Sequence, residues 1–171
     1  MTAWRLCVVA ATLRLLGAAK LRTSGGKCEP LWFGIDDDGD GRNDVCVRAF
    51  ANTRLAFGAA RYHCALHASS LVDVKTKKRQ DDLVRGLCFV AIAACDYWIG
   101  LSQPYGGKHP LWVWEDHTEA KFTSWGLRQP DDGHGDEDCA HFQFGTVGSW
   151  NDAPCYFKLI PVCMKKPTRC D

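Results

Sequence analysis

Residues 129–142, QPDDGHGDEDCAHF, concentrate the chemistry of this chain. Asp131, Asp132, Asp136, Glu137 and Asp138 crowd their carboxylates into one short run. Such a run is sustained by an open, solvated loop or by a cation among the acids. Gly133 and Gly135 mark a loop, and Pro130 stiffens its start. Carboxylate and amide oxygens are hard ligands, and Ca²⁺ takes roughly six to eight of them, so the run is a candidate calcium site. A second run, DDDGDGRND (36–44), spaces Asp36, Asp38, Asp40 and Asp44 around Gly41 in the alternating pattern of a loop wrapped on calcium. Position twelve from Asp36 is Val47 rather than glutamate, which argues against an EF-hand. The plainer reading of both runs is a solvated acidic turn.

The elements that must position these acids fit within 171 residues, the length of one domain with a real core. A formal charge of +1 points to no nucleic-acid surface. Residues 1–19 combine Arg5, the apolar stretches 6–13 and 15–19, and small residues at Gly17 and Ala19, the pattern of a secretory signal peptide. No stretch reaches the roughly 20 apolar residues of a membrane span. Cleavage after Ala19 takes away Arg5 and Arg14, leaving 19 basic against 20 acidic residues. It also removes Cys7 and leaves nine cysteines, a density that predicts a disulfide framework in a secreted protein. No CxxC pair is present, so zinc is not expected.

Residues 20–27 read as a short, basic, flexible leader. From about Phe57 the pattern predicts a helix, with Ala60, Cys64 and Leu71 sharing one face. KTKKRQDDLVRGL (75–87) predicts a second helix with a solvated charged face. CDYWIGL (95–101), PLWVWEDH (110–117), GSWNDAPC (148–155) and KLIPVCMK (158–165) predict short strands. Helices precede strands, so the fold class is α+β.

In this order the motifs resemble the C-type lectin-like domain family over nearly the whole mature chain. CVRAFANTRLAFGAARYHC (46–64) resembles its first strand and helix, and YWIGL (97–101) its core strand. WVWEDHTEAKFTSW (112–125), the acidic run, WNDAPC (150–155) and IPVC (160–163) complete the series. The resemblance implies two helices packed on small antiparallel sheets with a long calcium-binding loop, the domain spanning 28–166 and a tail 167–171. It implies the disulfides Cys64–Cys163, Cys139–Cys155 and Cys28–Cys46. Proximity of the remaining cysteines adds Cys88–Cys95. Cys170 is then left to pair between chains as a homodimer or to carry a small thiol cap, unless it takes Cys28. Residues 36–44, followed by Cys46, resemble a thrombospondin type-3 segment inserted in the domain.

The resemblance also implies a calcium and sugar site made by Gln129, Asp131, Glu137, Asn151 and Asp152, with a cis bond before Pro130. Sugar hydroxyls would complete the calcium shell, with Glu137 and Asn151 serving one hydroxyl and Gln129 and Asp131 the other. The order Gln-Pro-Asp resembles the galactose type, Glu-Pro-Asn the mannose type. Gly133 and His134 stand where galactose-type members carry a stacking tryptophan, so His134 is either a ring placed to touch the sugar or simply an exposed loop histidine. Asp132 and Asp138 match two ligands of the family's auxiliary calcium, but QPYGGKHPLW (103–112) lacks the earlier acids, and that site is not expected. The expected function is a secreted calcium-dependent lectin binding galactose-type glycans. The alternative is a protein-binding or matrix member in which calcium only orders loops. No pairing of nucleophile and base is evident, so an enzyme is not expected.

Overall fold

The computed structural model describes residues 26–90, 96–104, 111–143 and 148–168. Strands β1 (Phe33–Ile35) and β2 (Val45–Ala49) form an antiparallel hairpin with Phe33 opposite Val47, and the acidic loop 36–44 is its tip. Helix α1 (Phe57–Leu66), strand β3 (Ser70–Leu71) and helix α2 (Lys77–Val90) follow. Strands β4 (Tyr97–Ser102), β5 (Val113–Trp114), β6 (Cys139–Gln143), β7 (Ser149–Ala153) and β8 (Ile160–Lys165) complete the chain. The main sheet runs β1-β2-β8-β4-β6-β7, with β3 added to β8 and β5 to β4. Among the described strand pairs only β4 and β8 are parallel.

Strand β4 explains how a sheet this small holds two helices. Tyr97, Ile99 and Leu101 enter one core cluster with Leu83 and Leu87 of α2. Trp98 enters the other, with Phe57, Ala60 and Cys64 of α1. Alternating side chains are therefore buried on both faces, which is why YWIGL reads as a continuous apolar run. Gly100 lets β3 come close, since a Cβ there would lie 3.0 Å from the Leu71 carbonyl oxygen.

Two sequence expectations need correction. The first helix ends at Leu66, so Leu71 is buried as part of β3 rather than on the helix face. Ala68 adopts φ +50°, and the Ser69 N–H and hydroxyl both donate to the Cys64 carbonyl, at 3.1 and 2.6 Å. Those bonds close the helix end, and extended Val72 and Val74 then fill the core. PLWVWEDH yields only the two-residue β5. His117 at φ +65° donates to Trp114 O (2.8 Å), and Asp116 Oδ1 accepts from Thr118 N (3.1 Å), turning the chain sharply.

Disulfides join Cys28–Cys46, Cys64–Cys163 and Cys139–Cys155. The first excludes a Cys28–Cys170 bond. Cys95, residues 1–25 and Cys170 fall outside the described residues, and of Cys88 only the helical backbone is described, so the expected Cys88–Cys95 bond lies outside them as well. Lys27 pairs with Thr168 through two backbone hydrogen bonds of 3.2 Å, so the end of the expected leader is tied to the start of the expected tail.

Candidate functional site

The long segment between β5 and β6 is fastened to β7 at its base. Trp150 N donates to Ser124 O and Gly126 N donates to Trp150 O, both at 2.8 Å. The Trp150 ring is fully buried and meets Trp114, Trp125 and Phe122 edge-on at 5.6–5.9 Å between centroids. Its indole N–H donates to Gln80 Oε1 of α2 (2.9 Å), and the Gln80 amide donates in turn to Gly148 O. Asn151 and Asp152 thus follow a residue locked from three sides.

Asp152 draws the acidic loop onto this anchor. Its Oδ1 accepts from Asp131 N (3.2 Å) and its Oδ2 from Asp132 N (2.8 Å). Glu137 Oε2 accepts from Gly133 N (2.9 Å), while Glu137 N donates to Asp132 Oδ1 (3.0 Å). Carboxylate oxygens of Asp131, Glu137 and Asp152 come within 4.8 Å of one another. Gln129 precedes Pro130 through a cis bond, and its Oε1 is buried without a hydrogen-bond partner. Asn151 donates through Nδ2 to Asp152 O and to His141 Nε2 (3.3 Å), which leaves its Oδ1 as the acceptor.

His141 was not singled out for the site by sequence, and its part follows from register. It stands opposite Asn151 in the β6–β7 pair. Its Nδ1 lies 3.1 Å from the Phe142 carbonyl, which only accepts, so Nδ1 carries the proton and Nε2 is free to receive the Asn151 amide. Burial holds the ring below its ordinary pKa and so in this neutral form, although Asp96 opposes the shift. His141 thereby fixes which end of the Asn151 amide is the oxygen.

The electrostatics favour a cation. Glu137 is 6% exposed and Asp152 1%. Among the described ion pairs neither has a lysine or arginine partner; Glu137 Oε1 meets only the exposed His134 Nδ1. At 4.8 Å and an effective dielectric near 20, two such charges repel by about 3 kcal/mol. Buried carboxylates are ordinarily paired or ligated to metal. The residues therefore fit a hard cation: three carboxylates, an orphaned buried amide oxygen and the free Oδ1 of Asn151. Burial raises Asp152 above the ordinary 3.8, against the N–H groups of Asp132 and Asp131.

The loop 36–44 differs. Asp36, Asp38 and Asp40 place oxygens within 4.8 Å, but Asp44 stands apart and accepts from Asp37 N (2.7 Å). Asp36 caps Gly39 N (2.7 Å) and Gly41 N (2.8 Å), whose φ values of +81° and +84° suit glycine. Lys78 bonds Asp36 O, and Arg79 pairs with Asp37, so α2 already supplies positive charge. His134, besides bonding Glu137, meets the Phe157 ring edge-on at 5.9 Å.

Comparison with known proteins agrees with this fold. The model of the family described as Lectin C-type domain matches residues 53–165. A "C-type lectin" of Micrurus corallinus is 26% identical over 84% of this chain and 88% of its own. "C-type mannose receptor 2" of Mus musculus is 28% identical over 82% of this chain, but that match spans only 9% of the receptor. The solved human scavenger receptor C-type lectin carbohydrate-recognition domain is 28% identical, with TM-score 0.68 over 82% of this chain and 99% of its own.

Proposed function

The chain belongs to the C-type lectin domain family, a carbohydrate-binding and non-enzymatic fold, and from that premise we propose that it is a secreted calcium-dependent lectin for galactose-type glycans. The observation that carries the reading is the trio Asp131, Glu137 and Asp152, two of them buried, without a lysine or arginine partner among the described residues, beside the orphaned Gln129 oxygen. Gln129, Asp131, Glu137, Asn151 and Asp152 would hold the calcium. When bound, calcium supplies open coordination positions for neighbouring sugar hydroxyls.

The chain's own groups do the rest. Glu137 and Asp131 accept the hydroxyl protons, and the Gln129 amide donates to a hydroxyl oxygen. His141 holds Asn151 with its oxygen free. The second Asn151 N–H, now on the Asp152 carbonyl, is the donor a hydroxyl can take. Donor before proline and acceptor after it is the order that selects galactose over mannose in this reading. The loop at Asp36, Asp38 and Asp40 is a second calcium position in the same proposal, and glycan binding does not depend on it.

The test uses purified protein on immobilised galactosides in calcium. Asp152→Ala should abolish retention, while Asp38→Asn should leave it intact. Retention by Asp152→Ala equal to that of the wild type would contradict the assignment.

A further inference from the structure

We infer that Tyr156 and Phe157, continued by the His134 ring, form an aromatic subsite for the sugar residue next to the one held at Glu137; the inference rests on the lectin reading above. The turn after β7 is an unusual place for large rings, since surface turns favour small polar residues. Yet Tyr156 is 63% exposed and Phe157 38%. The turn is fixed rather than free: Phe157 N donates to Pro154 O (2.9 Å), and Cys155 is bonded to Cys139 of β6. Behind it Leu159 is buried and pairs with Leu55. The rings are thus held out by a rigid base instead of being folded into the core.

They also make a continuous row that begins at the candidate site. His134 bonds Glu137 Oε1. Its ring lies 5.9 Å from Phe157, and Phe157 lies 5.4 Å from Tyr156, each pair edge to face. Tyr156 therefore stands two ring steps from the Glu137 carboxylate. A ring at that remove meets the neighbouring sugar rather than the coordinated one. A pyranose has C–H bonds on one face and hydroxyls at its rim, and a tyrosine offers both a matching apolar face and a phenolic hydroxyl. This continuity with the carboxylate cluster argues for an extended glycan rather than a protein surface.

Calorimetric titration in calcium tests it, using methyl galactoside, methyl mannoside and a disaccharide ending in each. The disaccharide should bind wild type about five-fold tighter than its own monosaccharide. Tyr156→Ala should bring that ratio close to one while monosaccharide affinity stays unchanged, which also shows that the variant is folded. Tyr156→Phe should retain most of the ratio. A ratio near one in wild type, or a ratio unaltered in Tyr156→Ala, overturns the subsite and leaves the lectin reading standing. No binding of any of these sugars by wild type in calcium overturns both.

Discussion

Asp152 carries two duties that a single substitution cannot separate. Its carboxylate fastens the backbone of Asp131 and Asp132, and it supplies charge to the cluster with Asp131 and Glu137. Asp152→Ala should therefore lose calcium binding and cost about 1–3 kcal/mol of stability, because two N–H groups lose their acceptor. Protonation gives a subtler prediction. Burial lifts Asp152 above 3.8, and burial with Asp132 and Asp136 lifts Asp138. The metal-free folded state then holds these protons more tightly than the unfolded chain. Its stability from these groups rises as pH falls toward 3.8 and declines as pH rises through the lifted values. Calcium binding runs the other way, since protonation removes ligands. The gap in Tm between calcium and EDTA samples should thus narrow as pH falls from about 7 to about 5. A gap that stays constant would contradict the cluster as the calcium site. At the same scale, the double change Gln129→Glu, Asp131→Asn reverses donor and acceptor around Pro130 and should shift preference toward mannose, read by competition between the two methyl glycosides. Galactose preference surviving the exchange would refute the role given to these two residues.

Elements position the site through cross-links of unequal weight. The Cys64–Cys163 bond spans 99 residues and ties α1 to β8, whereas Cys139–Cys155 spans 16 and closes the β6–β7 hairpin. On chain entropy, the first is worth about 5 kcal/mol and the second about 3. Paired Cys→Ser variants in urea should keep that order. Loss of Cys139–Cys155 should weaken glycan binding more than its stability cost implies, because it bases the turn after Asp152. An inverted order of stability would contradict the account. Much of this scaffold was legible in the chain. Two-sided burial of β4 wrote itself as YWIGL, and charge spacing located α2. Leu71 was misplaced because spacing cannot register the left-handed Ala68 that ends α1. The acids of the site were legible because five carboxylates in one run need an explanation. His141 was not, because its link to Asn151 exists only in the register of β6 against β7, and the Gln80 anchor under Trp150 spans 70 residues.

At the scale of the whole molecule, one shallow site contacting two hydroxyls binds a single sugar weakly, so presentation matters. We propose that Cys170 links two chains as a homodimer, since joining two sites can raise avidity by roughly 10²–10⁴ where both engage one surface. Non-reducing electrophoresis of secreted protein should show a dimer that disappears in Cys170→Ser. A monomer band for both proteins would refute the link without touching the site. No helix among the described residues is long and apolar enough to cross a membrane. The central claim is that a cation among Asp131, Glu137 and Asp152 is what holds the sugar. Its most direct measurement is a glycan array probed with one preparation in calcium, then in excess EDTA, then with calcium restored. The account predicts binding to galactose-terminated glycans that vanishes with chelation and returns with calcium. Glycan binding that persists undiminished in EDTA would contradict it.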